Sequence, residues 1–230
     1  MAESTQQPTV AVPMAAGRAE RQQRQLRWAQ GILLLFHVTG FVGLAFSGSE
    51  EFFLRFMPLT LLLTLGLLLA FQPRRTAAFW SFCAVIAFMG FFVEVVGTRT
   101  GLLFGNYEYG ASLGIKWLDV PLIIGVNWVI VTYSAGVLAT YLPVPGFVRA
   151  IAAALLMVGL DICIEPVAAR YDFWNWQYDV IPLLNFKGWF VVSLIFQVYF
   201  NRVEFIKRNA LAPFVYLIQL LFFFGLGMLL

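Results

Sequence analysis

Apolar residues fall in seven runs, at approximately 28–47, 53–72, 77–96, 118–141, 148–166, 185–201 and 211–230, separated by short polar or aromatic-rich stretches. A bilayer hydrocarbon core of about 30 Å is crossed by roughly 20 residues of helix, so each run predicts a membrane span. The pattern predicts an all-α polytopic bundle, with residues 28–230 as a single transmembrane helical domain and 1–27 as a disordered basic cytoplasmic tail. The run from Trp28 to Phe46 is longer than the apolar region of a signal peptide, which makes it an uncleaved first helix. No repeat of about 20–50 residues is visible.

Composition sharpens this picture. Of 230 residues, 61% are hydrophobic and 12% charged, against about 25% charged in soluble domains. That is too little charge to coat a soluble surface, and 24 Phe with 7 Trp are too many for a disordered chain. The basic residues set an orientation by the positive-inside rule. With the N-terminus in the cytoplasm, Arg18, Arg21, Arg24, Arg27, Arg74, Arg75, Arg149, Arg202, Lys207 and Arg208 lie inside. Only Arg55, Arg99, Lys116, Arg170 and Lys187 lie outside, so ten against five favours N-in, C-out in the cell membrane. A net charge of +3 spread in this way is no nucleic-acid footprint.

The acids run the other way. Glu3, Glu20 and Glu204 fall inside, and the other nine gather at the outer ends of helices or beyond them. The two outer connections, about 97–117 and 167–184, are long and rich in Gly, Trp and Tyr, a composition more typical of working loops than of spacers. The outer face is therefore the candidate working face. His37 is the sole histidine, and Cys83 and Cys163 share no CxxC spacing. This excludes a His/Cys metal site, haem ligation and a His-rich iron oxygenase. No lysine lies in the seventh run, which excludes a retinal Schiff base, and polar residues at one end rather than at mid-depth argue against a transporter.

Three carboxylates stand out. Glu94 follows a long apolar run with Thr98 one turn later, while Asp161 and Glu165 form an i, i+4 pair closed by Pro166, where the helix is expected to end. Carboxylates inside a membrane cost several kcal/mol unless paired, solvated or protonated, and so mark function. The plainer reading makes them ordinary helix ends at headgroup level. Likewise, Tyr107, Tyr109, Trp174 and Trp176 read either as interface-belt aromatics or as the walls of a site. The Gly-rich loop 97–110 is no phosphate loop, because it lacks GxxxxGK[ST] and a preceding strand.

Glu94-Val95-Val96-Gly97-Thr98-Arg99-Thr100-Gly101, then Phe104-Gly105, Tyr107 and Tyr109, form a recognisable order. It continues through Leu113-Gly114, Lys116, Val120-Pro121-Leu122, Trp128, Asp161, Glu165-Pro166-Val167, Trp174, Trp176, Pro182-Leu183, Asn185-Phe186 and Gly188-Trp189. This order resembles the integral-membrane carotenoid biosynthesis family that contains carotenoid 1',2'-hydratases of the bisanhydrobacterioruberin hydratase type. The resemblance implies addition of water across the terminal double bond of an acyclic carotenoid end, without cofactor or metal. An acid must protonate the alkene, aromatic faces must steady the tertiary cation, and a second polar group must deliver water.

Under that resemblance Asp161 or Glu94 is the general acid, and Glu165 or the unprotonated partner orients water. Trp174, Trp176, Tyr107, Tyr109 and Trp189 line the cation pocket, and Thr98, Asn127 and Asn185 hold the acids or the water. Asp119, at the mouth of the fourth run, is a further substrate-binding candidate. The implied partners are a carotenoid (lycopene, γ-carotene or a bacterioruberin precursor), the lipid bilayer and other carotenoid enzymes. Two alternatives stay open: a small membrane lycopene cyclase, which the same acids and aromatics would serve, and a non-catalytic carotenoid-binding or scaffold subunit, whose carboxylates would tolerate amidation.

Overall fold

A computed structural model describes residues 12–230, with side chains from Gly17 onward. The chain is mostly helical. Its helices are α1 (Val12–Phe46), α2 (Glu50–Leu54), α3 (Met57–Ala70), α4 (Ala77–Thr100), α5 (Ile123–Ala139), α6 (Gly146–Arg170), α7 (Leu183–Arg202) and α8 (Ala212–Gly227). Four short strands accompany them: β1 (Tyr107–Tyr109), β2 (Lys116–Trp117), β3 (Val120–Pro121) and β4 (Trp174–Trp176).

Among the described residues, five helical segments are long and apolar enough to cross a membrane: α1, α2 with α3, α4, α6 and α7. Helices α5 and α8 are apolar but have only 17 and 16 residues, about 24–26 Å at 1.5 Å per residue. Helix α5 forms the centre of the bundle, packed by α3, α4, α6, α7 and α8. Small residues let it in: a Cβ on Gly125 would stand 2.6 Å from the Ala87 carbonyl oxygen, the close backbone approach typical of membrane helix pairs. Fourteen of its 17 residues are buried, which explains an apolar run with no polar stripe.

Several boundaries differ from the sequence expectation, each for a local reason. Residues 12–27 continue α1 as helix ahead of the apolar run rather than a disordered tail, exposed over Gly17–Gln25, since Ala, Arg, Gln and Glu are strong helix formers; residues 1–11 lie outside the described residues. The run 53–72 is divided at Arg55–Phe56 into α2 and α3. The fourth run begins at Ile123 and not at 118, because residues 116–121 form a β2–β3 hairpin. Leu118 and Asp119 both have positive φ, 53° and 69°, as a two-residue type I′ turn requires. Pro166 does not end its helix: α6 runs on to Arg170, and the proline removes only one backbone donor.

The long connections are not irregular. Strands β1 and β4 pair antiparallel, with Tyr107 opposite Trp176, Glu108 opposite Asn175 and Tyr109 opposite Trp174. The pairing is extended by Gln177 N–H donating to Asn106 O (3.0 Å) and Gly110 N–H to Phe173 O (3.0 Å). An Arg170–Glu50 ion pair of 2.9 Å ties α2 to the end of α6 at this same end of the bundle.

Candidate active site

The β1–β4 ribbon caps the ends of α4 and α6, and its pleat sorts the side chains. Alternate residues of a strand face opposite ways, so Tyr107, Tyr109, Trp174 and Trp176 share the face turned into the bundle, while Glu108 is exposed on the other. Beneath the cap lies Glu94, 4% exposed. Its Oε2 accepts hydrogen bonds from the hydroxyls of Tyr107 (2.5 Å) and Tyr109 (2.9 Å), and its Oε1 accepts from Trp128 Nε1 (3.0 Å).

Helix α4 is cut away on both sides of this carboxylate. Gly90, Glu94 and Gly97 follow at i, i+4 and i+7, on one face. A Cβ at Gly90 would lie 2.5 Å from the Trp128 ring, and one at Gly97 would lie 2.7 Å from Phe104 and 2.8 Å from the Tyr107 hydroxyl. The glycines are the reason that three donors from two other elements can converge on one carboxylate. Burial, and then the nearby Glu94 carboxylate, push both tyrosine phenols above their ordinary range. Both therefore keep their protons and remain available as donors.

Glu165 sits about one turn and a half from the end of α6 with three donors of another kind. Its Oε2 accepts from Trp176 Nε1 (2.7 Å) and Trp174 Nε1 (3.2 Å), and its Oε1 from Asn185 Nδ2 (2.8 Å). The same Asn185 amide donates to Asp161 Oδ2 (3.0 Å). Asp161 is fully buried one turn deeper, and its Oδ1 has no hydrogen-bonding partner.

Glu94 and Glu165 line one cavity of about 30 Å³, room for one or two waters. Its walls are Phe104, Tyr107, Tyr109, Ile124, Asn127, Trp128, Ile164, Trp174, Trp176, Asn185 and Trp189. Trp128 and Trp189 stack with centroids 4.5 Å apart, and Tyr107 packs on Trp176 at 5.0 Å. Helical periodicity supplies most of the rest: Ile124, Asn127 and Trp128 share a face of α5, and Asn185 and Trp189 share a face of α7.

Of the residues singled out from sequence, Glu94, Glu165, Tyr107, Tyr109, Asn127, Trp174, Trp176, Asn185 and Trp189 meet at this cavity. Asp161 reaches it only through Asn185. Two do not reach it. Thr98 donates to the backbone carbonyls of Glu94 (3.0 Å) and Val95 (3.2 Å), so its hydroxyl is spent within its own helix. Asp119 is exposed at the tip of the β2–β3 turn. Trp128 was missed as a site residue although it stands in the recognised order. Its signal was the four-residue spacing to Ile124, and nothing in the sequence says that it points at Glu94.

The model of the carotenoid biosynthesis protein family matches residues 56–230. A bisanhydrobacterioruberin hydratase from Haloarcula japonica is 29% identical over 135 residues, covering 54% of this chain and 46% of that protein. The chain thus matches about half the length of that curated relative. No solved structure matches.

Proposed function

The chain belongs to the carotenoid biosynthesis protein family, and on that premise we propose that it is a cofactor-independent carotenoid 1',2'-hydratase. The observation that carries the reading is a pair of buried glutamates facing one water-sized cavity, held by donors of different kinds. All three donors to Glu165 are N–H groups, which cannot accept a hydrogen bond. Glu165 is thereby fitted to act as a carboxylate. Two of the three donors to Glu94 are phenol hydroxyls, which can turn and accept. Glu94 is thereby able to carry a proton without losing a partner.

The reaction follows from that asymmetry. Glu94 gives its proton to C2' of the terminal C1'=C2' bond, whose π pair forms the new C–H bond and leaves a tertiary cation at C1'. The two carboxylates and the indole faces steady the cation. A water held by Asn127 and Glu165 attacks C1', and Glu165 takes the proton it releases. Cavity water returns that proton to Glu94, so the sum is alkene plus water giving a tertiary alcohol. Asp161 positions Asn185, and through it Glu165. A cavity of about 30 Å³ takes the water alone, so the end group enters by displacing lining side chains.

In this reading all seven apolar helical segments cross the cell membrane, with the N-terminus inside, the C-terminus outside and the site near the outer face. The ten-to-five distribution of basic residues supports it. Helices α5 and α8 fall short of 30 Å, but α5 is sheathed by protein and need not match the lipid.

The test is pigment analysis by chromatography and mass spectrometry in cells making lycopene or γ-carotene, with and without the protein. A more polar pigment, heavier by one water and with unchanged visible bands, is the expected result. An isobaric product with shifted bands would instead establish a cyclase. No new pigment with either substrate, or with a bacterioruberin precursor, would leave the binding-subunit reading.

A further inference from the structure

Of the side chains around the glutamate cavity, six bond one glutamate or the other. Ile124 and Asn127 stand on α5, Ile164 on α6, and Trp189 on α7, where it stacks on Trp128. Phe104 alone among the lining residues bonds no acid and belongs to no helix or strand. It lies in the turn 101–105, which leads from α4 toward β1.

This turn is set as a wedge between α4 and α7. A Cβ at Gly97 of α4 would lie 2.7 Å from Phe104 Cδ2, and one at Gly188 of α7 would lie 2.8 Å from Phe104 Cδ1. Opposite edges of one phenyl ring thus rest on glycines of two helices. The turn is bounded by glycines of positive φ, Gly101 at 65° and Gly105 at 108°, and Gly105 N–H donates to Gly101 O (3.1 Å). Among the described residues its backbone makes no hydrogen bond to α7, so packing alone seats it there. The wedge is thin. Phe104 is 1% exposed, while Leu102, two residues away, is 76% exposed. Val96, beside Gly97, and Leu184, one turn from Gly188, are exposed as well, an apolar outer surface that a bilayer would cover.

We propose that the end group of the carotenoid enters sideways from the lipid between α4 and α7 and takes the place of the Phe104 ring, so that the size of residue 104 decides which ends are admitted. An alkene end carrying two methyl groups is no larger than a phenyl ring, whereas a trimethylcyclohexenyl end is larger. The vacated space is also the productive one. A Cβ at Gly97 would lie 2.8 Å from the Tyr107 hydroxyl, which bonds Glu94, so a group between the two glycines abuts the proton donor. The identity of the ligand rests on the hydratase reading, and the route on the wedge.

The test has two arms in nanodiscs. In the Glu94→Gln background, which is expected to leave pigment unhydrated, binding is read by visible circular dichroism, a signal that free achiral lycopene lacks. Phe104→Ala is expected to tighten lycopene binding about tenfold or more, since an open minor state is populated to about 10% or less. β-Carotene, with a ring at both ends, should bind more weakly than lycopene while Phe104 is present. With Glu94 intact, Phe104→Ala should lower KM for lycopene by more than it alters kcat. Phe104→Leu, acting in the same direction by less, serves if the alanine variant elutes as aggregate. Lycopene binding that is unchanged or weaker in both variants, or equal binding of the two pigments, overturns the proposal. So does a fall in kcat at unchanged KM, the mark of a ring that only props Tyr107. Hydration with binding indifferent to residue 104 sinks this inference alone. Binding that follows residue 104 without any hydration sinks the hydratase reading and leaves the entry route standing.

Discussion

Amide substitution of the two cavity glutamates should separate proton donor from water base, because the new NH₂ group meets different neighbours at the two positions. In Glu94→Gln the amide oxygen keeps the Trp128 N–H, and the NH₂ donates to the Tyr107 and Tyr109 hydroxyls, which turn to accept. Every bond is kept or reversed, so stability should fall by less than about 1 kcal/mol. The transferable proton is gone, and hydration should fall by about 10²–10⁴-fold. In Glu165→Gln the NH₂ must face either the Trp174–Trp176 pair or Asn185, all of them donors. One bond to a charged acceptor is lost and two donors are opposed, at a cost of about 2–3 kcal/mol. At about 2–4 °C per kcal/mol for a chain of this size, its Tm should drop by roughly 4–12 °C, with turnover lost as well. Unfolding can be followed with a thiol-reactive dye, since Cys83 and Cys163 are both free and partly buried, and turnover by pigment mass. Equal destabilisation by the two substitutions, or wild-type turnover in Glu94→Gln, would refute the donor–acceptor reasoning.

The cap makes graded demands on its indoles. Trp176→Phe, which deletes the 2.7 Å donor to Glu165, should cost about tenfold or more in turnover, and Trp174→Phe, which deletes the 3.2 Å one, less; a reversed order in single-turnover rates would contradict the site's geometry. Gly97→Ala should displace Tyr107 and impair hydration, whereas Gly159→Ala, with open space around it, should leave hydration unchanged and match or raise the Tm. Asp119→Asn, on an exposed turn, should stay within about twofold of wild type in the pigment assay. Because both cap phenols titrate above their ordinary range, turnover should show no tyrosine-linked loss up to about pH 9. The stability these two phenols lend is present below about pH 10 and declines as pH rises beyond it, because the unfolded chain then releases protons that the folded one keeps. A Tm that rises above pH 10 would contradict their burial.

The bundle was legible because burial in a membrane writes itself into long apolar runs, and each of the seven corresponds to an apolar helix or a near-continuous pair. What failed were the edges. The helical residues 12–27 carry no apolar stripe, so hydropathy says nothing of them, and only helix propensity does. At the fourth run, Leu118, Val120 and Leu122 carry the apolar character of the helix that follows back into the turn. The two positive-φ residues Leu118 and Asp119 show that the chain turns there; Asp119 is a residue type that such turns favour, whereas Leu118 is not and hides the signal. Pro166 misled for a related reason: proline often marks a helix end, but here it stands on an exposed face of α6, removes one backbone donor, and the helix runs on to Arg170.

For the site, the sequence supplied the acids and aromatics but not their pairing. Tyr-Glu-Tyr and Trp-Asn-Trp are each alternating triplets, and alternation is a strand signal, yet three residues flanked by Gly, Asn and Asp are too short to read as strands alone. They become strands only with each other, 67 residues apart in register. That pairing explains why two tyrosines reach Glu94 and two tryptophans reach Glu165: the ribbon bridges α4 and α6, and each strand lays its alternate residues over its own helix's acid. A single ribbon thereby supplies hydroxyl donors to one carboxylate and N–H donors to the other. Chemical difference between two otherwise similar glutamates is set by which strand ends above which helix. The i, i+4 spacing that first paired Asp161 with Glu165 is real, but the acid that shares the cavity with Glu165 is Glu94, on another helix. That meeting is a property of the fold and of no local window of sequence.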